Sequence, residues 1–279
     1  MTRPRIGAHV PTRGRAANAV DEAEARGAEA FQIFVSNPRA WATPRVSEEA
    51  AEEFRARRDA AGDPPAFAHA SYLVNIASPN PEFWRRSVEL ATGEAAVVTA
   101  LGLDGLVVHA GAGGPGERPE AVARAATAAT AIAEAGAPVL LELTAGGAGT
   151  VASTIPEAAE LLEAADSDAR LGLVIDTCHL FAAGAPLDDP AAVGPTLDAL
   201  EEEGLSGRLR LVHANDARDP RGSRRDRHAH IGEGHIGEPG FRAILAHEAV
   251  RRVHVIIETP GKVEEDRRNL ALLRRLAGE

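Results

Sequence analysis

The chain has 279 residues, 44% of them apolar and 25% charged, and a formal net charge of −11. That length suits one large domain with ample core, and the composition excludes a disordered or fibrous chain. The single cysteine, Cys178, rules out an internal disulfide framework. No stretch reads as a signal peptide and no apolar run approaches the about 18 residues of a membrane span, so a cytoplasmic protein without a membrane partner is expected.

Short apolar runs alternate with helical stretches along the whole chain. Residues 5–10 read as a strand and 16–26 as a helix, then 30–35 as a strand and 48–61 as a helix that Ser47 can cap and Gly62 can end. Residues 65–70 precede a helix that Asn80 and Pro81 begin and Gly102 ends, with Trp84, Val88, Ala91, Ala95 and Val98 on one face. Strands at 105–110, 138–143, 171–176, 209–214 and 253–259 are followed by helices near 119–135, 156–165, 191–203, 241–247 and 263–276. Near-continuous apolar runs fit parallel strands covered on both faces. Eight strand–helix units predict an α/β fold, a (β/α)8 TIM barrel, as a single domain over 1–279. An open doubly wound sheet needs a G-x-G-x-x-G turn after its first strand, and IGAHVPTRGR has none.

Seven of the eight predicted strands finish on a side chain that can hold a metal: His9, His69, His109, Glu142, Asp176, His213 and Glu258. In a parallel barrel these share the C-terminal rim, where sites are built. His179 and the pair Asp226 and His228 join them from loops. A lone histidine at a strand end is more often structural, but four carboxylates brought together are costly unless cations neutralise them. Mixed His, Asp and Glu ligation without thiolate suits Zn²⁺ or Mn²⁺ in an open, catalytic site. Asp176 and His179 stand three apart across a strand-to-loop turn, which lets them serve neighbouring ions. Asp226-x-His228 in extended chain puts both side chains on one side. Arg221, Arg224, Arg225 and Arg227 surround that pair, which makes the loop a candidate phosphate contact.

With these residues assembled, the chain resembles the endonuclease IV family of zinc-dependent apurinic/apyrimidinic endonucleases. The resemblance lies in IGAHV at 6–10, NPRAW at 37–41, HASYLVN at 69–75, IDTCHLFAAG at 175–184, HANDA at 213–217, GSRRDRHAHIGEGHIG at 222–237 and IIET at 256–259. It implies three Zn²⁺ ions per chain, with Mn²⁺ an alternative at one position. His69, His109 and a bridging Glu142 would hold the first; Asp176, His213 and Glu258 the second; His179, Asp226 and His228 the third. Glu142 and Glu258 would be the catalytic carboxylates. The implied substrate is damaged double-stranded DNA, cut 5′ to an abasic site to leave a 3′-hydroxyl and a 5′-deoxyribose phosphate, with trimming of blocked 3′ ends besides. Arg39, Tyr72 and Leu73 would press into the DNA stack, Arg225 would meet phosphate, and a monomer is expected. Three Zn²⁺ would move the net charge from −11 to −5, which eases the objection that an acidic chain makes a poor partner for DNA.

The chain departs from the family pattern beside several ligands. Ala70 follows His69 where Asp is usual, and Leu143 stands where an amide is expected after Glu142. Weaker orientation of the neighbouring ligands is therefore expected. His247 and His254 read as helix-surface and strand histidines, His9, His230 and His235 as neighbours that orient the site, and Cys178 as a small buried side chain. Two competitors stand beside the nuclease. One is a metal-dependent sugar isomerase or epimerase of the xylose isomerase-like class, which the absence of lysine near any predicted strand end disfavours. The other is a protein that binds abasic DNA but cleaves it weakly, because of Ala70 and Leu143.

Overall fold

The computed structural model describes residues 4–278. In chain order come β1 (Ile6–His9), α1 (Asn18–Arg26), β2 (Phe31–Phe34), α2 (Glu48–Ala60), β3 (Ala66–His69), α3 (Pro81–Leu101), β4 (Leu106–His109), α4 (Arg118–Ala133) and β5 (Val139–Glu142). Next are α5 (Ile155–Ala164), β6 (Leu171–Asp176), α6 (Thr177–Ala183), α7 (Pro190–Glu202), β7 (Leu209–His213) and two short strands, β8 (Asp216–Ala217) and β9 (His228–Ala229). The chain finishes with α8 (Gly237–Ala246), α9 (Glu248–Arg251), β10 (His254–Ile257) and α10 (Val263–Ala277). Eight parallel strands close into a barrel in the order β1-β10-β7-β6-β5-β4-β3-β2, the TIM barrel that the alternating pattern predicts.

The helices begin where the sequence supplies caps. The Ser47 hydroxyl accepts from the amide of Ala50, and the Asn80 side chain accepts from those of Glu82 and Phe83 with Pro81 at the first helical position. Each such cap is worth about 1 kcal/mol. Gly102 ends α3 with φ of 68°, a left-handed conformation that glycine adopts without penalty. Several features differ from the sequence reading, the short helix α9 among them. Residues 177–183 form a helix rather than a loop, α8 starts at Gly237 rather than 241, and β8 pairs antiparallel with β9.

Inside the barrel the side chains lie in layers. Ala30, Phe67, Val107, Leu140, Val174, Leu211 and Ile256 make one buried apolar cluster. Residues drawn from so many parallel strands can meet only in the interior, where burying each large one contributes roughly 1.5–3 kcal/mol. Strand side chains alternate, so the residue two positions on faces the same way. That rule puts Gln32, His69, His109, Glu142, Asp176, His213 and Glu258 in the next layer up, at the C-terminal mouth. The register agrees, pairing His109 with Glu142 and Asp176 with His213 across adjacent strands.

The loop after β9 is held by a different device. The Asp216 carboxylate, fully buried, accepts from the amides of Gly232, Gly234 and Ile236 at 2.9–3.0 Å. A Cβ on Gly234 would collide with that carboxylate, so the glycines of IGEGHIG are needed for the wrap itself. Among the described residues, no helix is long and apolar enough to cross a membrane.

Candidate metal centre

Glu142 occupies the middle of the mouth and is fully buried. Its Oε2 lies 3.1 Å from His69 Nε2 and 3.4 Å from His109 Nε2, and its Oε1 lies 3.0 Å from His213 Nδ1 and 3.3 Å from His179 Nδ1. One carboxylate thus faces four imidazoles. Glu258, just past β10, puts Oε2 3.3 Å from His213 Nδ1. Asp226, from the loop that β8 and β9 close, puts Oδ1 3.1 Å from His179 Nε2 and 3.0 Å from His228 Nε2. The side chains of Asp226 and His228 therefore do share one side.

Asp176 has two local duties. Its Oδ1 accepts from the His179 amide at 3.0 Å, capping α6 and so fixing the position of His179. The expected strand-to-loop turn is thus a strand-to-helix turn, with the same two residues brought to the site. Ligand atoms converge in groups whose members all lie within 4.8 Å of one another. His69, His109 and Glu142 form one, His179, Asp226 and His228 another, and Glu142, Asp176, His213 and Glu258 a third. Asp176, Cys178 and His228 meet the same distance condition, but burial pushes the Cys178 thiol up, with Asp176 adding to it, so thiolate is disfavoured there.

The imidazoles are aimed by their outward nitrogens. His69 Nδ1 donates to the Ala70 carbonyl (2.8 Å), His179 Nδ1 to the Leu143 carbonyl (2.9 Å), His213 Nε2 to Gln32 Oε1 (2.9 Å) and His228 Nδ1 to the Glu258 carbonyl (3.2 Å). The other ring nitrogen of each is left facing inward. His179 Nε2 and His228 Nε2 are buried and make no aligned hydrogen bond, although both lie within 3.1 Å of the Asp226 carboxylate. Two buried nitrogens beside an oxygen they do not hydrogen-bond are what a cation site requires of its donors. With nitrogen and carboxylate donors only, the set fits a divalent metal of the zinc or manganese kind.

Charge within the cluster is balanced by protons when no metal is bound. Burial opposes ionisation of Glu142, yet the facing His213 and His109 rings outweigh it and hold the carboxyl well below the usual range. Burial lowers the His69 ring, but Glu142 overrides it and raises the ring to about 9. His228, with burial likewise opposed by Asp176 and Asp226, also rises to about 9. At neutral pH these rings carry protons that an incoming cation must displace, so uptake releases protons and weakens as pH falls. Calorimetric Zn²⁺ titration of the metal-free protein in two buffers of different ionisation enthalpy should give unequal heats. Equal heats would contradict this account.

Sequence and structural comparisons agree with one another. A family model described as "Xylose isomerase-like TIM barrel" matches residues 20–276. A Streptomyces coelicolor protein named "Probable endonuclease 4" is 40% identical over 99% of this chain and 96% of its own length. "Endonuclease 4" of one Thermus thermophilus strain is 41% identical over 97% of each. The crystal structure of endonuclease IV from another strain of that species superposes with a TM-score of 0.87 at 38% identity, covering 98% of both chains. The chain belongs to the endonuclease IV family. Solved sugar epimerases share the barrel alone, as with the 3-keto-D-glucoside 4-epimerase of E. coli at 17% identity and a TM-score of 0.71.

Within this endonuclease IV chain, main-chain carbonyls at the departures at 70 and 143 stand against the nearby imidazoles. Ala70 and Leu143 orient His69 and His179 through main-chain carbonyls, which any side chain supplies. Two contributors escaped the sequence reading. Gln32 is fully buried, donating from Nε2 to Glu258 Oε1 (2.6 Å) while its Oε1 accepts from His213. Its Nε2 also lies 3.0 Å from His9 Nδ1, and His9 flanks Glu258 at 3.4 Å rather than joining a ligand group. Asn215 donates to Asp176 Oδ2 (2.6 Å) and accepts from the Glu258 amide (2.7 Å). Gln32→Leu is expected to weaken metal retention about 10- to 100-fold, the usual cost of losing such a partner, with the fold intact. Competition against a chromogenic chelator reads this directly, and unchanged retention would show that Gln32 contributes nothing.

Of the residues expected to contact DNA, Tyr72 lines this mouth. Tyr72 is exposed, its ring edge-on to Phe34 at 5.1 Å and 6.4 Å from His69, while Leu73 is half-buried beside it. Arg39 is exposed on the loop after β2. The arginine loop is partly neutralised within the protein. Arg227 pairs with Asp219 at 2.6 Å, Arg221 with Asp188 at 3.2 Å, and Arg225 only loosely with Asp219 at 3.6 Å. A pocket of about 450 Å³ opens over His69, His109, His179, Asp226, His228 and Glu258. A groove of about 1030 Å³ adjoins it through His9, Phe34 and Thr259. Lys262 lines that groove, closer to this face than the sequence reading allowed.

Proposed function

We propose that this protein is a DNA-repair endonuclease that hydrolyses the phosphodiester 5′ to abasic sites in duplex DNA, leaving a 3′-hydroxyl and a 5′-deoxyribose phosphate, and that also trims blocked 3′ ends. The observation that carries the reading is the convergence of three ligand groups at one barrel mouth in a member of the endonuclease IV family. His69, His109 and Glu142 would hold one Zn²⁺, Asp176, His213 and Glu258 a second with Glu142 shared, and His179, Asp226 and His228 a third, with Mn²⁺ an alternative at one of the three. Bound there, such ions acidify water and neutralise charge on a phosphate undergoing in-line displacement. The whole 279-residue chain would act as one domain, of which residues 1–3 and 279 lie outside the described residues. Because one chain supplies every ligand, the reading is of a monomer.

The protein's own groups do the remaining work. Gln32, Asn215 and the main-chain carbonyls keep the ligands aimed before substrate arrives, so little reorganisation is needed during reaction. Glu258 stays ionised despite its burial, because His213 and His9 face it. An abasic nucleotide has no base to stack, so turning it out of the helix costs less than flipping an intact one. Tyr72 and Leu73 would fill the opened stack as apolar wedges with Arg39 beside them, and Arg225 would meet the backbone.

The test is a duplex carrying one tetrahydrofuran residue. A single nick 5′ to the lesion is expected, strong chelation should abolish it slowly because the ligands are buried, and Zn²⁺ should restore it. Nicking that survives complete metal removal would refute the mechanism.

A further inference from the structure

The loop after β2, which carries Arg39, and the loop after β3, which carries Tyr72 and Leu73, rest on the same stretch of α3. Arg86 lies over the Trp41 ring at 4.4 Å, and a Cβ on Gly93 would collide with the Thr43 side chain. Between the loops sits Glu94, fully buried. Its Oε1 accepts from the Ser36 hydroxyl at 2.5 Å and from the Ser71 amide at 3.0 Å. Ser71 completes the link, its hydroxyl donating to the Pro38 carbonyl (2.9 Å) and accepting from the Leu73 amide (3.2 Å). One carboxyl and one serine thus tie residues 36–38 to residues 71–73.

Glu94 is an expensive choice for that place. Its Oε2 is buried without a hydrogen-bond partner, and burial pushes the carboxyl up to about 7 against the pull of Ser36 and Ser71. An uncompensated polar atom in the interior is destabilising, so a group kept there calls for a return elsewhere. Glu94 belongs to none of the groups of converging ligand atoms. Its bonded partners are the two loops.

We propose that Glu94 is a positioning residue that fixes the spacing of the two lesion-reading loops, so that discrimination of abasic from intact duplex depends on a carboxyl group that never touches DNA. This rests on the endonuclease reading for what the loops do, but not for their being coupled. Glu94→Ala should raise KM for the tetrahydrofuran duplex roughly tenfold while kcat and metal content stay near wild type. Glu94→Gln keeps the accepting oxygen and should restore KM to within about twofold. Ser36→Ala, which cuts one tether and is easily tolerated, should shift KM in the same direction by less.

Hydrogen exchange supplies a readout that needs no activity. In Glu94→Ala the segments 36–43 and 70–75 should lose protection together, with the barrel strands unchanged. If wild type fails to nick the duplex, the endonuclease reading fails, and exchange still decides whether Glu94 couples the loops. Unchanged protection in both segments would overturn the proposal, as would coupled loss of protection with wild-type KM in an active enzyme. Should Glu94→Ala fail to fold, Ser36→Ala decides by the same two measures.

Discussion

Glu142→Gln is expected to strip the site of metal and to lower nicking by more than about 1,000-fold, beyond the 10- to 100-fold that losing a supporting contact costs. The reason is the position of the carboxylate. It faces His69, His109, His179 and His213 at 3.0–3.4 Å and belongs to two of the ligand groups. A neutral amide keeps the shape but removes the charge that offsets the facing imidazoles, and its NH₂ turns a donor toward nitrogens that themselves donate to cations. Elemental analysis of the purified variant, beside the single-nick assay, checks both halves. Full metal content with normal turnover would show that Glu142 is structural.

Glu258→Gln should be nearly as damaging to turnover, by on the order of 100- to 1,000-fold, while leaving abasic-duplex affinity within a few-fold of wild type. Glu258 lies at one edge of the site, held by Gln32 and facing His213, whereas Tyr72, Leu73 and Arg39 belong to other loops. Removing its charge would alter the ion it would share with Asp176 and His213 without disturbing the surface proposed to meet DNA. Fluorescence anisotropy under non-cleaving conditions and single-turnover nicking separate the two effects. Loss of affinity in parallel with rate would place Glu258 among the binding residues instead.

Much of this arrangement was legible because covered parallel strands read as apolar runs, and a polar residue closing such a run stands out. All eight barrel strands follow from that pattern, as do six of the inward-facing ligands. Gln32 escaped because β2 ends on Phe34, two residues later, so inspecting last residues missed it. The inward register, counted on from Ala30, would have found it. The helix α6 was missed for a different reason. Six of its seven residues are buried, and a segment covered on every side shows no polar face for periodicity to detect. Its flanks held the signal, an Asp cap at 176 and Gly184 after the end. The arginine pairings are mixed: Asp219 lies in the same loop as Arg227 and could have been weighed, but the reach of Arg221 to Asp188 is a product of tertiary folding.

The apolar layer from Phe67 to Ile256 lies buried in the barrel beneath the ligand groups. Below is hydrocarbon of low permittivity; above is water. Cations bound between them would not have their field relaxed from underneath, so the field lines would leave through the opening and spread toward whatever docks there. A chain with a net charge of −11 would in this way show a polyanion a positive target at the place where attraction is useful.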